Sequence, residues 1–209
     1  MLSFILVVLV LFLLPGPAVI LTVTQTARGG RRAGVITGVG IAVGDLIHTI
    51  AAVLGLSAIL MTSALAFEIV KYLGAAYLVY IGIKSFLEKA KRQEVTSAAA
   101  KPEKQAAIVS FRQALLIELL NPKTALFFLA FLPQFVRHDG TSVVLQLLIL
   151  GMTFVVMSIL YTTLLAFLTS SVGRKLFSHR NSWLSRWQGK IVGTIYIGLG
   201  IQLILQSQK

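Results

Sequence analysis

The chain has 209 residues, of which 56% are hydrophobic and 12% charged, and its mean hydropathy is +0.87. A water-soluble domain of this size carries more charge on its surface, so the composition predicts a protein for which the bilayer is the solvent. The formal net charge of +12 does not indicate nucleic-acid binding, because Lys and Arg fall in short gaps between apolar runs. The absence of cysteine excludes disulfides and thiolate metal sites.

Six apolar stretches are long enough to cross the membrane as helices, which requires roughly 20 residues each. They cover residues of about 2–24, 34–61, 65–87, 111–133, 142–169 and 190–206. Further membrane segments follow the first stretch, so we interpret it as a retained helix rather than a secretory signal. The predicted fold is therefore an all-α integral membrane protein with six transmembrane helices in a single domain. A five-span arrangement, with the first stretch re-entrant or split, is the alternative.

The basic residues predict the orientation, because Lys and Arg near helix ends resist translocation. They cluster after the first span, around a polar linker at 88–110, and between the fifth and sixth spans: Arg28, Arg31, Arg32, Lys84, Lys89, Lys91, Arg92, Lys101, Lys104, Arg112, Arg174, Lys175, Arg180, Arg186 and Lys190. These clusters are predicted to be cytoplasmic, which puts both termini outside. Too little chain remains for a nucleotide-binding or catalytic domain, so any transport would be driven by an ion gradient or by the solute's own gradient.

Three spans on either side of the linker predict an inverted repeat of two halves, about 1–87 and 111–209. Lys71, Gly74 and Tyr77 in the third span have the same spacing as three residues in the sixth, namely Lys190, Gly193 and Tyr196. The first helix of each half is also interrupted by proline. The interruptions are Pro15-Gly16-Pro17 in helix 1 and Asn121-Pro122-Lys123 in helix 4.

Each interruption frees backbone carbonyls that need a partner in a protein-lined or watered cavity. A simple kink is the alternative to a binding site at these positions. The residues predicted to bind the substrate are those of the two breaks, Pro15, Gly16, Pro17, Asn121, Pro122 and Lys123, together with Tyr77, which lies deep in its span.

Ionisable residues inside the spans are costly and mark functional sites. Asp45 and His48 lie three residues apart in helix 2, and therefore on one face. We predict that they couple transport to protons; the alternative is a structural hydrogen bond from Asp45 with His48 merely packed. Lys123 could bind a substrate carboxylate, act as the countercharge of Asp45, or extend to the membrane surface. No metal site and no cofactor are predicted.

Glycines recur at four-residue spacing in helix 2, at Gly34/Gly38 and Gly40/Gly44, and in helix 6 at Gly189/Gly193. This pattern predicts close approach between helices of one chain or of a dimer. Trp183 and Trp187 are predicted to lie at the membrane surface.

In order and spacing, several segments resemble the lysine exporter and threonine/homoserine exporter (LysE/RhtB-type) family of bacterial inner-membrane proteins. The matching segments are Pro15 to Pro17, Arg28 to Gly34, Gly40 to Leu46, Lys71 to Leu78, Asn121 to Lys123 and Phe131 to Phe135. The resemblance implies efflux of an amino acid or related metabolite, coupled to the proton motive force, and is compatible with a homodimer. It does not choose the substrate. A cation or metal exporter and a non-transporting assembly factor are the alternatives; a single membrane carboxylate beside one histidine disfavours the former.

Overall fold

The computed structural model of the chain describes residues 1–14, 16–56, 103–137 and 142–176, with separate helical positions between 65 and 87 and between 190 and 204. The regular elements are α1 (Leu2–Leu13), α2 (Pro17–Ala51), α3 (Glu103–Leu119), α4 (Pro122–Leu126) and α5 (Val143–Leu176). Everything regular in these ranges is helical, which confirms the all-α prediction. The third and sixth spans lie largely outside the described residues, so the six-helix repeat stays a prediction.

The predicted first span consists of two helical pieces. α1 has 12 residues, fewer than the roughly 20 needed to cross a bilayer. Leu14 and Gly16 are extended, with ψ of 114° and −178°. α2 begins at Pro17, a position where the backbone N–H that proline lacks would have no acceptor within the helix. The chain is therefore non-helical at Leu14 and at Gly16.

α2 changes direction at Gly30. Its 35 residues would be about 52 Å long as one straight rod, well beyond a hydrocarbon core of about 30 Å. Gly30 has φ 72° and ψ −171°, a combination open essentially only to glycine. Arg31 and Arg32 follow it and are exposed. The kink thus separates the end of the first predicted span from the second, which ends in a π-helical turn at Ala52–Leu56.

The fourth predicted span is also bent, by 43° between Ala107–Leu119 and Pro122–Phe135. α3 begins at Glu103, so residues 103–110 of the stretch predicted as linker are helical. α4 begins at Pro122 and continues through a π-helical turn, Phe127–Phe131, into a 3-10 turn, Leu132–Phe135.

α5 presents an apolar face to its surroundings. Large hydrophobic side chains are exposed along it every three to four residues: Leu145, Leu148, Ile149, Met152, Val156, Leu160, Leu164 and Leu168. In water such a stripe would be unfavourable, whereas in a bilayer it faces acyl chains. Within the described residues, Pro17–Gly55 and Val143–Ser171 are long and apolar enough to cross a membrane, and the bent α3–α4 pair adds a third candidate.

α2 packs against both α3 and α5 through glycines. A Cβ on Gly38 would lie 2.7 Å from Thr162 Oγ1 of α5, and one on Gly40 would lie 2.6 Å from the backbone oxygen of Phe111 in α3. Gly34 and Gly44 are equally tight against Ala166 and Glu118. The glycine spacing therefore serves contacts within the chain, one of the two uses predicted for it. Gly189 and Gly193 lie outside the described residues.

Candidate functional site

The two proline-flanked breaks meet inside the molecule. Lys123 is 9% exposed, and its Nζ donates a hydrogen bond of 3.0 Å to the backbone oxygen of Leu14, the last residue before the first break. Gly16 is also buried, and a Cβ on it would lie 3.6 Å from Lys123 Cδ. The lysine thus satisfies a carbonyl that the interrupted helix leaves without an intrahelical donor.

Asn121 organises the second break. Its Oδ1 accepts a hydrogen bond from the backbone N–H of Lys123 at 3.1 Å, which caps α4. Its Nδ2 donates to Glu118 Oε2 at 3.2 Å and to Thr124 Oγ1 at 3.2 Å. The Thr124 hydroxyl donates to Glu118 Oε1. The carboxyl of Glu118 is therefore held on both oxygens by groups from the break itself.

Asp45 is the least compensated polar group of the site. It is 1% exposed, and neither of its oxygens has a hydrogen-bond partner among the described residues. Glu118 of α3 and Ser158 of α5 are its polar neighbours, and Lys123 lies close enough to interact with it electrostatically. A buried carboxyl without partners is expensive, so this group is suited to receive a ligand, a proton or water.

His48 has a different environment from Asp45, although both were placed on one face of helix 2. Its Nε2 donates to the backbone oxygen of Glu118 at 3.1 Å, and its ring stacks on Phe128 with centroids 5.8 Å apart. The carbonyl can only accept, so Nε2 carries the hydrogen. His48 thus contacts the end of α3 and does not line the cavity beside Asp45.

A cavity of about 30 Å³ lies where these groups converge. Its polar lining residues are Asp45, Glu118, Asn121, Lys123, Thr124, Ser158 and Thr162, and its apolar and aromatic lining residues are Phe12, Ala18, Val19, Ile41, Phe154 and Tyr161. This volume accommodates a water molecule or two but not an amino acid. The described conformation is therefore contracted around the site.

The chain matches the family described as LysE type translocator over residues 9–207. The chain belongs to this family. The translocator is 32% identical to the uncharacterized membrane protein YrhP of Bacillus subtilis (strain 168), over 97% of each chain. It is 30% identical to the leucine efflux protein of Salmonella choleraesuis (strain SC-B67), over 93% of its own length and 90% of the relative's. The leucine efflux protein of Enterobacter sp. (strain 638) is 28% identical, over 91% and 88%. No solved structure matches the chain.

These findings make the protein a membrane transporter, as the resemblance in its sequence implied. Of the residues predicted to bind substrate, Asn121 and Lys123 line the cavity of this translocator, and Gly16 borders Lys123. Pro17 and Pro122 begin helices next to it and are themselves exposed. Pro15 and Tyr77 lie outside the described residues, as do Lys71, Gly74, Trp183 and Trp187.

The sequence interpretation missed Glu118, which is 2% exposed at the centre of the site. Counting Asp45 as the single membrane carboxylate was wrong. Glu118 lies inside the predicted fourth span, three residues before Asn121. Residues three apart in a helix lie on the same face, so this spacing puts Glu118 close to Asn121. An acidic residue at that position in an otherwise apolar span was the available signal.

Proposed function

We propose that this translocator exports an amino acid, or a closely related small metabolite, from the cytoplasm across the bacterial inner membrane, with protons moving inward in exchange. The relatives called leucine efflux proteins support export of an amino acid with a neutral apolar side chain. The membership of a translocator family supports transport itself.

The observation that carries the proposal is that charged and apolar side chains line the same cavity. A zwitterionic amino acid has groups of both kinds, with two charged groups at one end and a side chain at the other. Its carboxylate would bind Lys123, which would then exchange the Leu14 carbonyl for the substrate. Its ammonium group would bind near Asp45, and an apolar side chain would pack against Phe12, Ile41 or Phe154.

Substrate entry requires the contracted cavity to widen. The breaks before Pro17 and Pro122 leave α1 and α4 as short helices that can move without breaking a continuous hydrogen-bond ladder. Lys123 joins the two breaks through Leu14, so release of that bond on substrate binding would free both segments together.

For the coupling ion we propose the proton, with Asp45 as its acceptor. A carboxyl with unpaired oxygens inside the membrane favours a bound proton over a permanent charge. His48, bonded to the Glu118 carbonyl, is proposed to contribute to coupling by holding the end of α3 beside that carboxyl. The proposed orientation puts the exposed Arg28, Arg31 and Arg32 in the cytoplasm and both termini outside.

Transport by the purified protein in proteoliposomes tests this function. We expect counterflow of radiolabelled leucine, and we expect related neutral amino acids to compete with it. The lumen of the loaded vesicle represents the cytoplasm, and a pH gradient that makes the lumen alkaline is expected to accelerate leucine efflux. Asp45→Asn is expected to abolish the acceleration, while the matched acid-to-amide change at the exposed Glu68, Glu68→Gln, leaves it intact. Absence of flux for every amino acid of a broad panel would overturn the proposal.

A further inference from the structure

Two carboxyl groups face one another across the contact between α2 and α3. The helices approach closely here because Gly44 has no side chain, and a Cβ on it would lie 2.7 Å from Glu118 Cβ and 3.0 Å from Glu118 Cγ. Asp45 follows Gly44, and its carboxyl lies within reach of that of Glu118. Both groups line the cavity and both are at most 2% exposed.

The charges of the site do not balance if both carboxyls are ionised. Among the described residues that line the cavity, Lys123 is the one cation. In the described part of the chain, the other titratable groups near Asp45 are Tyr161 of α5, which also lines the cavity, and His48, which is engaged by a backbone carbonyl. Two carboxylates and one ammonium would leave a net negative charge in the bundle interior, and adjacent carboxyls avoid this by sharing a proton.

The hydrogen bonds indicate how that proton is distributed. Glu118 accepts hydrogen bonds from Thr124 and Asn121, so both of its oxygens are already occupied by donors. Asp45 accepts no such bonds from the described residues. The exchangeable proton is therefore carried by Asp45, next to Glu118.

We propose that Asp45 and Glu118 form a single binding site that holds either one proton or the ammonium group of the substrate, and never both. This inference rests on the proposed export of an amino acid, and it makes exclusive occupancy of the pair the cause of coupling. It also assigns to Glu118 a direct role in binding substrate, beyond the cap that it forms with Asn121.

The cycle balances in atoms and charge. When the site faces the outside, water-borne H⁺ forms an O–H bond on Asp45 and displaces the ammonium group of the departing amino acid. When the site faces the cytoplasm, that O–H bond breaks, the proton passes to water, and the ammonium N–H groups donate to the two carboxylates. One proton enters for each zwitterion that leaves, no electrons are transferred, and one positive charge moves inward per cycle.

Leucine binding by the purified protein tests the inference, with calorimetry in buffers of different ionisation enthalpy as the readout. We expect one proton to be released per leucine bound by the wild-type protein at acidic pH. The apparent Kd is expected to rise tenfold for each unit of pH decrease in the range where the pair is protonated, as for two ligands competing for one site.

Variants separate this site from a structural role for Glu118. Glu118→Gln and Asp45→Asn, each in the full chain, are expected to release no proton and to lose the pH dependence of the apparent Kd, while Glu68→Gln keeps both. A purely structural Glu118 would weaken or destabilise the variant but leave one proton released per leucine. That result would overturn the inference.

The outcomes also distinguish the inference from the function on which it rests. Leucine binding without proton release in the wild-type protein, or release that follows sodium instead of pH, overturns the shared site and leaves amino acid export standing. Failure of the wild-type protein to bind or exchange any amino acid overturns both.

Discussion

A methyl group added at Gly40 tests the close contact between α2 and α3. The Cβ of Gly40→Ala would lie 2.6 Å from the backbone oxygen of Phe111 and 2.8 Å from Ala114 Cβ. A backbone carbonyl in a helix cannot rotate away, so the two helices must separate, and overpacking of this kind costs about 1–3 kcal/mol. Gly55 is the matched control, because a Cβ there meets nothing within 4 Å. Gly55→Ala should be neutral or stabilising by up to about 1 kcal/mol, from the higher helix propensity of alanine.

The absence of native cysteine allows a clean assay. Thr169→Cys introduces one thiol at a residue that is 4% exposed on α5, and its reaction with a maleimide reports unfolding in detergent. In that background we expect Gly40→Ala to raise the reactive population about 5- to 150-fold relative to Gly55→Ala, which corresponds to about 1–3 kcal/mol. Equal reactivity of the two variants would refute the close approach of α2 and α3.

Three further changes probe the kink and the breaks. Gly30→Ala should destabilise the protein by about 1–3 kcal/mol, measured by the same thiol assay, because its φ of 72° strains any side chain although nothing lies within 4 Å. Lys123→Met should abolish leucine exchange and cost about 1–3 kcal/mol by leaving the Leu14 carbonyl unpaired; full exchange in this variant would contradict the site. Arg31→Ala should cost no more than about 1 kcal/mol in thermal unfolding, since its 2.9 Å bond to Ser170 is exposed, and a larger loss would mean that this contact holds the kink.

The sequence predicted the parts of the fold that follow from backbone chemistry. Proline fits the first turn of a helix, and α2 and α4 begin at Pro17 and Pro122, while the functional breaks predicted at these two motifs stay a prediction. The start of the apolar run predicts the start of α5, because Val143 lies within a residue of the predicted 142, whereas α5 continues to Leu176, beyond the predicted end at 169. The glycine spacing in helix 2 indicated close packing but not its partners, because spacing alone does not name the neighbouring helix.

The site was harder to predict because its composition depends on which helices meet. Glu118 belongs to the fourth predicted span and Asp45 to the second, and only the approach of α3 at Gly44 brings the two together. The three-residue spacing of Asp45 and His48 predicted a shared face. The end of α3 presents the Glu118 carbonyl, which accepts from the Asn121 N–H and also from His48, while Asp45 stays in the cavity. The spacing of residues along a helix shows which side chains share a face of that helix. It does not show which hydrogen-bond acceptors a neighbouring helix presents.

Glycine contacts hold α2 tightly against α3 on one side and against α5 on the other. Helices that touch backbone to backbone cannot rotate or tilt without immediate steric conflict, so α2, α3 and α5 should move together as one rigid group. α1 and the stretch after Pro122 contact this group through side chains, such as Phe12 and Phe127 against Phe154, and each is only a few turns long. Access to the two sides of the membrane would then change by small displacements of these short pieces along the rigid group. A carrier of 209 residues could make such a movement without a large rearrangement.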